Sequence, residues 1–146
     1  MIISIGSDHR GFELKNKILD KFKDSSIKLI DLGCFEPIRC DYPIFARKVA
    51  QSILKKESDF GILICGSGVG MSIAANRFKK IYAALCWNSE VAEASYADDG
   101  ANVLVLSSDF LSIQENMAIV VSMINSWKSN TFKGGRYKER LEMIDK

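Results

Sequence analysis

Cys65-Gly66-Ser67-Gly68-Val69-Gly70 is the segment of this sequence best equipped for chemistry. Three glycines alternate there, directly after an apolar run and before a stretch of helical period. Glycine accepts positive φ and lets successive backbone N–H groups converge on an anion; a following helix N-terminus adds partial positive charge. A cysteine at the rim of such a nest is expected to lean toward thiolate. A thiolate beside an anion hole suits removal of a proton next to a carbonyl, because the resulting enediolate is held where it forms. By residue type alone, Cys65 reads equally well as a small buried hydrophobe above a tight turn. Two better-known glycine motifs are excluded: a dinucleotide fingerprint needs glycine where Met71 stands, and a P-loop needs lysine followed by Ser or Thr.

Other residues add polar chemistry. Asp8-His9 sits in a turn after the first apolar run, and His9 is the only histidine of the chain. It can donate a hydrogen bond to phosphate or hydroxyl oxygens, or stand as an ordinary surface turn residue. Arg136 and Arg140 lie four residues apart, on one face of a helix. Such a pair grips phosphate through charge-assisted, bidentate bonds, or pairs with Glu139 and Glu142 as a solvated face. Cys34, Cys40, Cys65 and Cys86 show no CxxC spacing, and His9 has no neighbouring ligands. No metal site is expected, and the thiols are expected to be free.

These residues need a scaffold. A chain of 146 residues, 47% hydrophobic with two prolines, reads as one packed domain over 1–146. Its formal charge of +2 gives no nucleic-acid signature. The apolar start at Met1 to Gly6 is too short for a signal core or a membrane span, and no later run is long enough, so a cytoplasmic protein without a membrane partner is expected. Apolar runs at Ile2–Gly6, Ile27–Leu32, Phe60–Cys65, Ile81–Cys86 and Asn102–Leu106 read as strands. Helical periods separate them: Leu14 to Phe22, Pro43 to Leu54, Gly70 to Phe78, Val91 to Tyr96 and Ile113 to Trp127. The pattern predicts an α/β fold, a Rossmann-like three-layer αβα sandwich with a five-stranded parallel sheet. Ligands in such sheets bind outside the carboxyl ends of the strands, where Asp8-His9, Cys65 to Gly70 and, if the loop before the fifth strand curls back, Asp98-Asp99-Gly100 are expected to arrive. A last helix, Arg136 to Lys146, is poor in apolar residues and is expected to pack on a partner subunit.

Taken together, these segments resemble the ribose-5-phosphate isomerase B family, which includes allose- and galactose-6-phosphate isomerases. The resemblance rests on an ordered set spanning nearly the whole chain: Gly6-Ser7-Asp8-His9-Arg10-Gly11-Phe12, Asp41-Tyr42-Pro43, Ile62 to Gly70, Ser72-Ile73-Ala74-Ala75-Asn76, Asn102-Val103-Leu104, and Gly134-Gly135-Arg136 with Arg140. It implies a cofactor-independent aldose–ketose isomerase of the non-oxidative pentose phosphate pathway. Cys65 would take the proton from C2 of open-chain ribose 5-phosphate and return it at C1. Ser67 would move a proton between the two substrate oxygens, while backbone N–H groups of Gly66, Ser67, Gly68, Val69 and Gly70 hold the enediolate. Asp8 and Tyr42 would contact sugar hydroxyls. His9, with Arg136 and Arg140 of a neighbouring subunit, would hold the phosphate. The implied assembly is a dimer or tetramer with shared sites. One branch of the family uses glutamate where Met71 stands; methionine cannot serve as a base, which fits the role of Cys65.

The chain departs from the family pattern at two places. Asp98-Asp99 occupy the positions of a His-Asn pair whose histidine opens the sugar ring, and Asp98 is expected to exchange that proton instead. Asp109 replaces a phosphate-facing arginine, and Arg10 is expected to restore the charge. A six-carbon sugar phosphate stays open as substrate, and so does a catalytically silent sugar-phosphate-binding subunit.

Overall fold

Phe60–Cys65, apolar without alternation, becomes the middle strand β3 of a five-stranded sheet. In the computed structural model, which describes residues 1–146, β1 (Ile2–Ser7) and β5 (Val103–Ser107) flank it. β2 (Lys28–Asp31) and β4 (Ala83–Leu85) form the edges, giving the order β2-β1-β3-β5-β4 with every pairing parallel. The α/β fold expected from the sequence is therefore present. Six helices surround the sheet: α1 (Phe12–Phe22), α2 (Tyr42–Leu54), α3 (Val69–Ala75), α4 (Ser89–Asp99), α5 (Ile113–Ser129) and α6 (Arg136–Ile144). No helix is long and apolar enough to cross a membrane.

Strand side chains alternate between the two faces of a sheet. Ile62 and Ile64 of β3 therefore join one core with Leu14 and Ile18 of α1 and Ile119 and Met123 of α5. Leu63 and Cys65 join the other, with Val49 of α2 and Met71 of α3. The same alternation makes Gly61 a contact point: a Cβ there would lie 2.4 Å from Val49 Cγ1, so α2 packs directly on the strand backbone. The chain leaving β1 turns to the first face and the chain leaving β3 to the second. The two exits diverge and leave a crevice at the carboxyl ends of adjacent strands.

Three local features go beyond what the sequence pattern shows. The fourth strand is shorter than Ile81–Cys86, because side chains rather than a neighbouring strand satisfy its entry. Asn76 bonds both the N–H and the C=O of Ala83 at 2.8 and 2.9 Å, and Asn102 takes the Tyr82 N–H at 2.8 Å. Lys15 is 1% exposed although it lies in a charged stretch. Its ammonium sits 2.8 Å from both carboxylate oxygens of Asp31, which also accepts the Gly33 N–H. Finally, α6 is partly docked on its own chain. Leu141 packs at Gly100, and Asp145 bonds the Lys80 N–H and the Tyr82 hydroxyl, while Met143 and Ile144 remain exposed.

Candidate active site

β3 ends at Cys65, and the chain then reverses through Gly68, which takes φ 78° as the cap of α3. Glycine is required at that point, since a Cβ would be strained and would meet Leu85 Cδ1 at 2.4 Å. The turn directs the backbone N–H groups of Met71, Gly68 and Ser67 at the Cys65 sulfur. The residue is 4% exposed, at the floor of the turn between β3 and α3. Burial pushes its thiol above the usual range; the three N–H groups pull it down, and the nearby Asp8 carboxylate adds to the rise. This corrects the expectation of a thiolate-leaning cysteine. Desolvation of the charged sulfur outweighs the nest that faces it.

Two neighbouring strand ends fix this floor. The turn after β5 is stapled to the loop by four bonds: Ser108 N–H and hydroxyl donate to the Cys65 carbonyl at 3.0 and 3.1 Å, while Asp109 N–H and the Ser107 hydroxyl donate to the Gly66 carbonyl at 2.9 and 2.8 Å. Asn116 of α5, 1% exposed, holds that turn from below by donating to the Ser107 carbonyl at 2.9 Å. The sequence reading missed Ser107, Ser108 and Asn116. Small hydroxyl residues at a strand's carboxyl end were the available signal.

From β1 come Asp8, His9 and Arg10. Asp8 N–H donates to the Ile64 carbonyl at 3.2 Å, which brings the residue beside β3. Its Oδ1 accepts the Arg10 and Gly11 N–H groups at 3.0 and 3.1 Å, in the turn that leads into α1, and Oδ2 has no hydrogen-bond partner in the chain. His9 Nδ1 accepts the Cys40 N–H at 3.3 Å, so Nε2 carries the proton and is the free donor. Tyr42, first residue of α2, lays its ring against Gly70, where a Cβ would stand 2.7 Å from Tyr42 Cζ. Arg10 Nη1 pairs with Asp109 Oδ2 at 2.9 Å, beside Gly66. Ser67 Oγ accepts the Val69 N–H at 3.1 Å. Asp8, His9, Tyr42, Cys65, Ser67 and the glycine loop are thus brought together within one chain.

Arg136 and Arg140 are not among them. Both stack at 5.2 and 5.4 Å on the Tyr137 ring, with Lys133 at 5.1 Å. Hydrogen bonding to Arg136, then the Lys133 and Arg136 charges, hold the Tyr137 phenol below its usual range. Lys133 also pairs with Asp98 at 2.5 Å. Asp98, to which Lys133 ties this cluster, lies at the end of α4 just before β5, whose first residue, Val103, lies beside Gly61, whereas Cys65 lies beside Ser107. At roughly 3.3 Å per residue the two ends of the strand are ~13 Å apart. Within one chain, Asp98 is therefore at the sheet end opposite Cys65. A hollow of about 530 Å³ at that opposite end is walled by Asn76, Tyr82, Leu141 and Ile144. Cys65 and the glycine loop lie at the other end of the sheet, where β3 exits.

Comparison with known proteins adds relatives along the whole chain. The Ribose/Galactose Isomerase family model matches residues 3–144. Ribose-5-phosphate isomerase B of Escherichia coli K12 is 37% identical over 142 residues, covering 97% of this chain and 93% of that protein. A ribose 5-phosphate isomerase structure from Thermotoga maritima superposes with a TM-score of 0.92 at 42% identity, covering 99% of this chain and 97% of the other. Ribose-5-phosphate isomerase B from Mycoplasma genitalium, solved with bound ribulose-5-phosphate, gives 0.91 at 40% identity over 98% and 93% of the two chains.

Proposed function

The chain belongs to the ribose/galactose isomerase family, and on that premise we propose that it interconverts ribose 5-phosphate and ribulose 5-phosphate through an enediolate, with Cys65 as the base. The observation that carries this reading is the sulfur at the end of β3, faced by three backbone N–H groups. The relative holding ribulose-5-phosphate supports the choice of substrate.

In this reading the deprotonated sulfur takes the proton from C2 of the open-chain aldose. The bonding pair moves into the carbon framework, and negative charge passes to the carbonyl oxygen at C1, while the C2 oxygen keeps its proton until the next step. Backbone N–H groups of the glycine loop, Gly66 to Gly70, hold that oxyanion as it forms. Ser67 carries a proton between the two oxygens, and the Cys65 thiol returns its proton to C1. Burial keeps the resting cysteine protonated, yet it makes the deprotonated sulfur a stronger base. Asp8 Oδ2 and the Tyr42 phenol take sugar hydroxyls, and His9 Nε2–H donates to the phosphate. Only proton transfers are required, and the named residues supply them.

The phosphate grip of Arg136 and Arg140 comes from a second copy of the chain in this reading. Tyr42, Ile44, Val69 and Ile73 form an exposed apolar rim beside the glycine loop, which suits a homo-oligomer with shared sites. The protein then acts in the non-oxidative interconversion of pentose phosphates.

The test is to supply ribulose 5-phosphate and follow aldose formation. Its C5 oxygen carries the phosphate, so it cannot close to a furanose through that oxygen, and ring opening does not enter the rate. The parent is expected to turn over, and Cys65→Ala to lose about 10³-fold in kcat. A parent without turnover in either direction would instead indicate a silent sugar-phosphate-binding subunit.

A further inference from the structure

Arg10 and Asp109 meet across the first glycine of the anion loop. Arg10 Nη1 lies 2.9 Å from Asp109 Oδ2, and the pair fills the space a side chain at Gly66 would take. A Cβ there would stand 2.6 Å from Asp109 Oδ2 and 2.8 Å from Arg10 Nη1. Each partner is anchored at its own backbone, Arg10 N–H on Asp8 Oδ1 at 3.0 Å and Asp109 N–H on the Gly66 carbonyl at 2.9 Å. The pair thus bridges the carboxyl ends of β1 and β5 over the exit of β3.

Resting on the sugar-phosphate reading above, we propose that Asp109 is a positioning residue that holds the Arg10 guanidinium over Gly66, and that Arg10 is this subunit's own cation for the phosphoryl group of the substrate. A guanidinium has five N–H donors in a rigid fork. Asp109 engages Nη1 and leaves the other edge, with donors parallel enough for a bidentate bond to a phosphoryl oxygen pair. Arg10 is 60% exposed and Asp109 39%, so the pair is open to solvent and contributes little to stability. Its evident effect is orientation: a free arginine on the first turn before α1 samples many rotamers, whereas this one is fixed beside His9 and the loop. Asp109, with its charge engaged by the guanidinium, does not stand as an isolated anion against the phosphate.

The experiment is isothermal titration of the intact protein with inorganic phosphate, together with kcat and KM for ribulose 5-phosphate. Arg10→Gln is expected to weaken phosphate binding and raise KM by the same factor, about tenfold, with kcat within about twofold. Arg10→Lys should recover part of that loss. Asp109→Asn is expected to weaken both about threefold without moving Tm appreciably, and the exchanged pair Arg10→Asp/Asp109→Arg should exceed Arg10→Asp alone in phosphate affinity. Unchanged phosphate binding in Arg10→Gln, tighter binding in Asp109→Asn, or a parent that binds no phosphate each overturns the proposal. A parent that binds phosphate but turns over no pentose phosphate fails the isomerase reading alone, and the titration still decides the role of the pair.

Discussion

At Cys65 two effects of opposite sign act on one sulfur: burial disfavours the thiolate, and the N–H groups of Met71, Gly68 and Ser67 favour it. Burial prevails, so the thiol sits above the ordinary value of about 8.5. The sign of the consequence is fixed, because a base must be deprotonated to act. The reactive fraction therefore grows tenfold per pH unit until the raised pKa is reached. We expect log kcat/KM to climb through pH 8.5 without levelling, measured by initial rates between pH 7 and 9.5; a plateau below pH 8 would assign the rate to another group. Sequence reading located this cysteine and its glycines, since their types and order are local facts. It erred on protonation, which depends on how tightly α2 and α3 cover the end of β3. The roles of Ser107, Ser108 and Asn116 were equally hidden, because they arise from strand order.

Among the elements, β3 and α5 were the most legible. β3 is an uninterrupted apolar run, and α5 opens on a Ser112–Glu115 capping box before a long apolar stripe. β4 was over-extended because Ile81 and Tyr82 look strand-like, yet Asn76 and Asn102 take the backbone groups a neighbour would have paired. The link between α1 and β2 was invisible for a similar reason. Lys15 sits 2.8 Å from Asp31, with its ammonium 5.6 and 5.5 Å from the Phe12 and Phe35 rings, and no helical period marks a lysine for burial. Breaking a buried pair leaves the partner charge uncompensated, and Asp31 keeps 29% exposure, which softens the cost. Lys15→Met is expected to lose about 2–3 kcal/mol in urea unfolding, and adding Asp31→Asn should return part of it. No loss in Lys15→Met would show that the ion pair is incidental to the docking of α1.

For the whole molecule, the topology separates two groups of chemistry. Cys65, Asp8, His9 and Tyr42 gather at the carboxyl end of the sheet, and Arg136, Arg140 and Asp98 at the amino end. Sequence periodicity put both arginines on one helix face but carried no information on which end of the sheet that helix reaches. If two copies complete each other's sites, two inactive variants can combine. Cys65→Ala and Arg136→Gln, mixed after dissociation and reassembly, form sites of which roughly a quarter carry both intact halves in a twofold dimer. About a quarter of parental turnover is therefore expected. Activity no higher than the sum of the two variants would place the complete site within one chain.

The base itself is tested most directly by proton exchange at carbon. In D₂O, NMR of ribulose 5-phosphate reads loss of the C1 proton, a step that needs a base at the reacting carbon and no net conversion. The parent is expected to exchange one C1 proton stereospecifically, and folded Cys65→Ala to exchange none above the uncatalysed rate. Exchange by Cys65→Ala at the parental rate would contradict the assignment of the sulfur as the base.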